Sequence, residues 1–182
     1  MTKLRHYDHL GTARFVTFSC YHRYPLLREE ATIRILLEDV RRIREDYQIK
    51  IYGYVVMPEH VHLVLHPADG IRLGAVIGRL KGLSSLQIQS SCAKSRPVLS
   101  TGTSLSAAFP VVRDGRVKNV FWQRRCYDHN CRTPESVIEK IEYCHNNPVK
   151  RGLVSDPAQW PWSSFNWYQG MNSVPPEMDV VE

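Results

Sequence analysis

A ferredoxin-like α+β fold, an antiparallel sheet with helices on one face, is the class this sequence predicts. Three observations carry it. Short β-branched and aromatic runs alternate with stretches of helical period in the order β-α-β-β-α-β-α. Two of the runs are separated only by Pro58-Glu59, which reads as a hairpin. The 182 residues, 43% of them hydrophobic, suit a single domain with a real core.

The first strand is read at 13–20, where Phe15, Thr17 and Ser19 alternate with Val16, Phe18 and Cys20. A loop at 21–27 follows. Residues 29–47 are helical, since Ile33, Leu36, Leu37, Val40 and Ile43 recur at three- and four-residue steps. Strands at 49–57 and 60–66 form the hairpin. Residues 71–91 return to helical period through Leu73, Val76, Ile77, Leu80 and Leu83. The Ser-, Thr- and Ala-rich stretch 90–115 is predicted to be one long loop, beyond an ordinary connection in a compact domain. A last strand is placed around Val120-Phe121-Trp122, with Tyr127 on the connection that follows. Thr133 and Pro134 open a final helix, expected to stop at Asn147 before Pro148. The domain is taken as 1–156, with an aromatic, proline-containing tail at 157–182.

Composition narrows the function. No run approaches the roughly 18 apolar residues of a membrane span, and the N-terminal residues lack a signal-peptide stretch, so a cytoplasmic location is expected. Five irregularly spaced cysteines make neither a disulfide framework nor a CxxC zinc site. Lys and Arg number 24 against 18 Asp and Glu, a net +6, which favours a polyanionic partner.

Three groups of residues offer chemistry. In His60-Val61-His62, the period-two alternation of a strand turns Val61 to the core and both imidazoles to the other face. Two neutral imidazoles side by side can ligate one divalent metal; two unrelated histidines on a solvated strand face would give the same pattern. In the last helix, Tyr143 lies roughly 160° around from Ile141 of the apolar stripe, at about 100° per residue, so packing does not explain it. Asn147, four residues on, shares its face. Finally, Arg113, Arg116, Lys118, Arg124 and Arg125 precede that helix and Lys150 and Arg151 follow it. Such residues neutralise phosphates, and Trp122, Trp160, Trp162 and Trp167 could stack on unpaired bases or simply pack.

Together these features suit phosphodiester transfer: His60, His62 and Asn147 holding a divalent cation, and Tyr143 attacking phosphorus. Tyr127 is a second candidate hydroxyl. Two other readings stay open on the residues alone. One is a non-catalytic binder of structured single-stranded DNA or RNA. The other is a metal hydrolase using activated water, for which Glu59 is the one acid beside the histidines.

The residues also resemble a known family. Pro58-Glu59-His60-Val61-His62-Leu63 is similar to the histidine-hydrophobe-histidine motif of the single-tyrosine HUH transposases. Asn147-Pro148-Val149-Lys150-Arg151-Gly152-Leu153-Val154 and Trp160-Pro161-Trp162-Ser163-Ser164 resemble the branch associated with REP elements, repeated extragenic palindromes that form hairpins. The opening strand and Arg23-Tyr24-Pro25-Leu26 are similar too, so the likeness spans 5–168. It implies the HUH nuclease variant of the fold, with Mg²⁺ or Mn²⁺ on His60, His62 and Asn147, and Tyr143 as nucleophile. The implied substrate is single-stranded DNA carrying a hairpin, cleaved through a 5′-phosphotyrosine, by a monomer or a homodimer.

Overall fold

The computed structural model describes residues 11–94, 109–113, 116–171 and 176–181, with side chains described for 11–91, 119–171 and 176–181. The first strand, β1 (Ala13–Ser19), is followed by α1 (Glu30–Tyr47), the hairpin β2 (Lys50–Met57) and β3 (His60–His66), and α2 (Leu73–Lys94). Then come β4 (Phe109–Arg113), β5 (Arg116–Val120), β6 (Tyr127–Cys131), α3 (Pro134–Lys150) and a short α4 (Phe165–Tyr168). Four strands form one antiparallel sheet in the order β2-β3-β1-β6. Among the described residues no helix is long and apolar enough to cross a membrane.

The α+β class and the antiparallel sheet are as the sequence predicts; the distribution of helices is not. Val16, Phe18, Val61, Leu63 and Leu65 pack with the apolar faces of α1 and α2 in one core. A second core lies on the opposite face, where Phe15, Val55 and Val64 meet Val137, Ile141 and Cys144 of α3. Helices therefore cover both faces, and the histidine face of the sheet is roofed by α3 rather than open to water. The physical cause is that Phe15, Val55 and Val64 make the second face apolar as well.

Three further expectations are corrected. The last strand of the sheet is not Val120–Trp122 but β6, whose Tyr127 pairs with Thr17 and whose Cys131 pairs with Ala13. Its polar sequence, Tyr-Asp-His-Asn-Cys, is tolerated because it is an edge strand with little to bury. Phe121 and Trp122 are instead buried core residues. The stretch 90–115 is not a single loop either, because α2 runs on to Lys94 and β4 pairs with β5 in a separate two-stranded sheet. Residues 95–108, 114 and 115 lie outside the described residues. Finally, α3 passes through Pro148 and ends at Lys150. The turn that stops it centres on Gly152, whose φ of +65° is a left-handed conformation that glycine adopts without strain. The amide of Leu153 donates back to the Pro148 carbonyl across that turn.

The residues after 156 dock on the β2 edge. The Val56 amide donates to the Trp162 carbonyl, and the Ser164 hydroxyl accepts from the Tyr54 amide at 3.0 Å. Further on, Asp179 holds Arg44 of α1 through two hydrogen bonds and Met178 is buried in the first core. The tryptophans pack. Trp122 donates from its indole to Ser84 at 3.0 Å, Trp160 donates to the Val56 carbonyl at 3.1 Å, and Trp162 and Trp167 lie against the first core. Trp122 is thereby a packing residue, while Trp160, Trp162 and Trp167 keep half-buried rings.

How closely α3 approaches the sheet is set at a β-bulge. The register of β2 on β3 shifts between Ile51 and Gly53, which turns both Tyr52 and Gly53 toward α3. A Cβ on Gly53 would stand 3.1 Å from Ile141 Cγ1 and 3.4 Å from Ser164 Oγ. Gly53→Val is therefore expected to lower stability by about 1–3 kcal/mol through overpacking, measured by urea denaturation. Because α3 must lift, the variant should also lose more activity than an equally destabilised variant of the α1–α2 core.

Candidate active site

Period-two geometry on β3 places His60 and His62 on the α3 side, each at most 5% exposed. Their Nε2 atoms face each other at 3.0 Å. Two nitrogens about 2.1 Å from one six-coordinate cation and at right angles to each other would be about 3.0 Å apart, so the spacing suits a shared divalent metal. Burial depresses both imidazoles. His62 is pushed down to about 3, with the neighbouring His60 adding to the effect. His60 is lowered by burial against the opposing pull of Glu59. Both are thus neutral near pH 7, the form that ligates metal.

Asn147 is brought to the same point from α3. Its amide nitrogen is 3.3 Å from His62 Nε2, and its buried Oδ1 has no hydrogen-bond partner. A buried carbonyl oxygen without a donor is costly, and which end of an amide faces the histidines is exchangeable by a flip. With the amide flipped, one oxygen and two nitrogens would converge. No group of three or more His, Cys, Asp or Glu side chains gathers among the described residues.

The outer nitrogens each meet an oxygen, which leaves the facing Nε2 atoms able to ligate a metal. The Glu59 carboxylate is 3.1 Å from His60 Nδ1, which fixes the proton there and leaves Nε2 with its lone pair. Thr17 Oγ1 is 2.7 Å from His62 Nδ1 and can accept from it in the same way. Glu59 also accepts from Arg151 at 2.9 Å and from Arg23 at 3.4 Å. Burial works against its ionisation, yet the Arg151 hydrogen bond and the adjoining positive charge prevail and its carboxyl sits below the usual value. Glu59 thus acts as an orienting residue whose Oε1 is shared by His60, Arg23 and Arg151.

Tyr143 lies on the flank of α3 facing this cluster. Its ring centroid is 5.3 Å from that of His62 and 5.6 Å from that of Phe15, and Lys150 Nζ stands 5.4 Å over its other face. It is 39% exposed, so the phenol is open to an incoming group. The structure thus brings together His60, His62, Asn147 and Tyr143, from two elements 85 residues apart in the sequence at the His62–Asn147 contact.

The family can now be assigned. Residues 11–104, just over half of the chain, match the family described as "Transposase IS200 like". The chain belongs to the IS200-like transposase family. The match takes in β1, the hairpin and both histidines of β3. It is 24% identical over 166 residues to the REP-associated tyrosine transposase of Escherichia coli K12, covering 91% of this chain and 84% of that one. A Haemophilus influenzae protein named provisionally as a REP-associated tyrosine transposase is 26% identical over 123 residues, 67% of this chain. The chain spans only 62% of that relative's length. The solved structure of a REP-associated tyrosine transposase bound to a REP hairpin has the same fold. It matches with a TM-score of 0.68 at 22% identity, over 100% of this chain and 94% of that one.

The remaining predicted site residues are spread more widely. Arg124 and Arg125 are exposed between β5 and β6. Arg113 and Arg116 are opposite each other on the β4–β5 hairpin, with Lys118 on β5; the side chains of all three lie outside the described residues. Lys150 is drawn to the Tyr143 ring and Arg151 to Glu59. Sequence reasoning does not find Thr17 or Phe15, whose roles come from cross-strand pairing with β3. Phe15 stacks on His62 at 5.2 Å between centroids.

The roof over this site has its own buried histidine. His145 Nε2 is 2.9 Å from Ser164 Oγ, between α3 and the docked tail, and burial lowers its pKa from 6.5 to about 4. In the unfolded chain it titrates near the ordinary value, so below that pH the unfolded state takes up more protons. This contribution is complete above pH 6.5 and is lost as pH falls toward 4. Between pH 7 and 4.5 the wild type should lose on the order of 2–3 kcal/mol more stability than His145→Gln, read from urea midpoints at the two pH values.

Proposed function

We propose that the chain is a divalent-metal-dependent single-stranded DNA endonuclease and strand transferase that acts on hairpin-bearing DNA through a 5′-phosphotyrosine. The observation that carries this reading is the meeting of a half-open phenol, Tyr143, with two neutral, oriented imidazoles whose Nε2 atoms are 3.0 Å apart. His60, His62 and Asn147 would hold Mg²⁺ or Mn²⁺. When bound there, the cation supplies polarisation of the scissile phosphate and neutralisation of the charge that builds on it.

The chain's own groups do the rest. Tyr143 Oη forms the new bond to phosphorus and the bond from phosphorus to the 3′-oxygen breaks. The phenolic proton leaves and a proton is taken up by the departing oxygen, so the products are a 5′-phosphotyrosine and a free 3′-hydroxyl. A second 3′-hydroxyl can reverse the exchange, because one phosphodiester replaces another. Lys150 Nζ, 5.4 Å from the centre of the Tyr143 ring, would favour the phenolate and the incoming phosphate by its charge. Arg113, Arg116, Lys118, Arg124 and Arg125 supply phosphate contacts along the strand, with Arg151 both at Glu59 and near the incoming backbone. The REP hairpin in the name of the structural relative supports hairpin DNA as the substrate class. A protein that works on chromosomal palindromes is placed in the cytoplasm, as a monomer or a homodimer.

The test uses 3′-end-labelled hairpin DNA with Mg²⁺ or Mn²⁺, resolved on a denaturing gel. Labelled DNA covalently attached to the protein is the expected result. Binding with no adduct and no cutting under either metal would instead make the chain a hairpin-binding module.

A further inference from the structure

One exposed strip beside the active site combines aromatic and basic side chains that packing does not explain. Tyr127 is 52% exposed on β6, the edge of the sheet. It pairs with Thr17, and Thr17 pairs with His62. Residues paired across strands point to the same face, so Tyr127 shares the face of the metal-seat histidines, about 10 Å away across two strand spacings. His129, also exposed, is next on that face and pairs with Phe15, the ring that contacts both His62 and Tyr143. α3 roofs the histidines and reaches this strip through Lys140, whose ammonium lies 6.0 Å from the Phe15 ring and near Tyr127, while Tyr127 and His129 themselves stay exposed.

Charge completes the picture. Arg125 and Arg132 are exposed at the two ends of β6. The acid within the strand, Asp128, alternates to the opposite face and pairs with Arg14. Glu139, whose charge lies near His129, is ion-paired to Lys140 at 2.8 Å. Two exposed aromatic rings on one sheet face beside cations fit one class of ligand well: unpaired nucleotides, whose bases offer ring faces and whose phosphates offer charge. A duplex stem keeps its base faces stacked inside and presents none to such rings.

We propose that Tyr127 and His129 form a stacking shelf for the single-stranded nucleotides that adjoin the scissile phosphate, with Tyr127 under a base. The inference rests on the DNA-cleaving reading above and adds the part of the substrate that this edge holds.

The experiment compares two fluorescent DNAs, a bare hairpin and the same hairpin with a single-stranded flank. Binding of the full-length wild type, Tyr127→Ala and Tyr127→Phe is measured by anisotropy. The flank should tighten binding to the wild type and to Tyr127→Phe. Tyr127→Ala should bind the flanked DNA roughly 5- to 100-fold more weakly, the range of one base–aromatic stack, and the bare hairpin unchanged. A 2-aminopurine in the flank should be quenched by the wild type and by Tyr127→Phe but not by Tyr127→Ala. Equal affinity of the wild type and Tyr127→Ala for flanked DNA, or an equal loss on both DNAs, overturns the shelf. Adduct formation by the wild type, run in parallel, separates the two ideas. Flank binding that needs Tyr127 without any adduct sustains the shelf and removes the cleavage reading; adduct with no effect of Tyr127 does the reverse.

Discussion

Tyr143→Phe is expected to abolish the covalent protein–DNA species and to cut cleavage by about three orders of magnitude or more, the scale on which loss of a nucleophile is felt. The substitution removes one oxygen and nothing else. The ring that meets His62 and Phe15 edge-on, and over which Lys150 stands, is retained. At 39% exposure the hydroxyl is not a buried group whose loss orphans a partner, so stability should change by no more than about 0.5 kcal/mol. Hairpin binding should be unchanged by anisotropy while the adduct disappears from the gel. An adduct that persists would move the attack to another hydroxyl, and Tyr127 is on the same face of the sheet. Cutting that persists with no adduct would point to activated water.

His60→Ala is expected to remove metal-dependent cleavage while sparing hairpin affinity. It deletes one of the two Nε2 atoms that stand 3.0 Å apart and leaves Glu59 still paired with Arg151. Mn²⁺ titration followed by electron paramagnetic resonance should show affinity falling by at least about 100-fold, as for loss of a direct ligand rather than of an outer partner. Glu59→Gln should give a smaller loss, about 10-fold to 100-fold, because the amide can still accept from His60 but no longer carries the charge. Normal Mn²⁺ affinity in His60→Ala would take the metal away from this hairpin.

Much of this was readable because the period of apolar residues reports which face is buried. The steps from Ile33 to Ile43 and from Leu73 to Leu80 set α1 and α2, and the parity of Val61 and Leu63 set the direction of His60 and His62. The same logic failed at β6, where an edge strand needs backbone partners more than apolar side chains and so carries no alternation. It also failed at β4, although Asp114-Gly115 between two valine-rich runs is a hairpin signal. Tyr143 was legible as a residue out of place on its stripe, and the reason lies in packing: the sheet meets α3 broadly enough to touch its flank as well as Ile141. Thr17 and Phe15 were not legible. Their tasks arise from strands 45 residues apart at the Thr17–His62 contact, a pairing that no local pattern encodes.

Arg151 follows the last residue of α3, and Glu59 sits in the turn before His60, so their ion pair fastens the helix that carries Tyr143 to the very carboxylate that aims an imidazole. The proposed nucleophile and the proposed cation seat would thereby share one anchor, so that a disturbance at either end is expected to be felt at both. Cutting that anchor should misalign two partners at once, and the penalty should exceed the sum expected from loosening each alone.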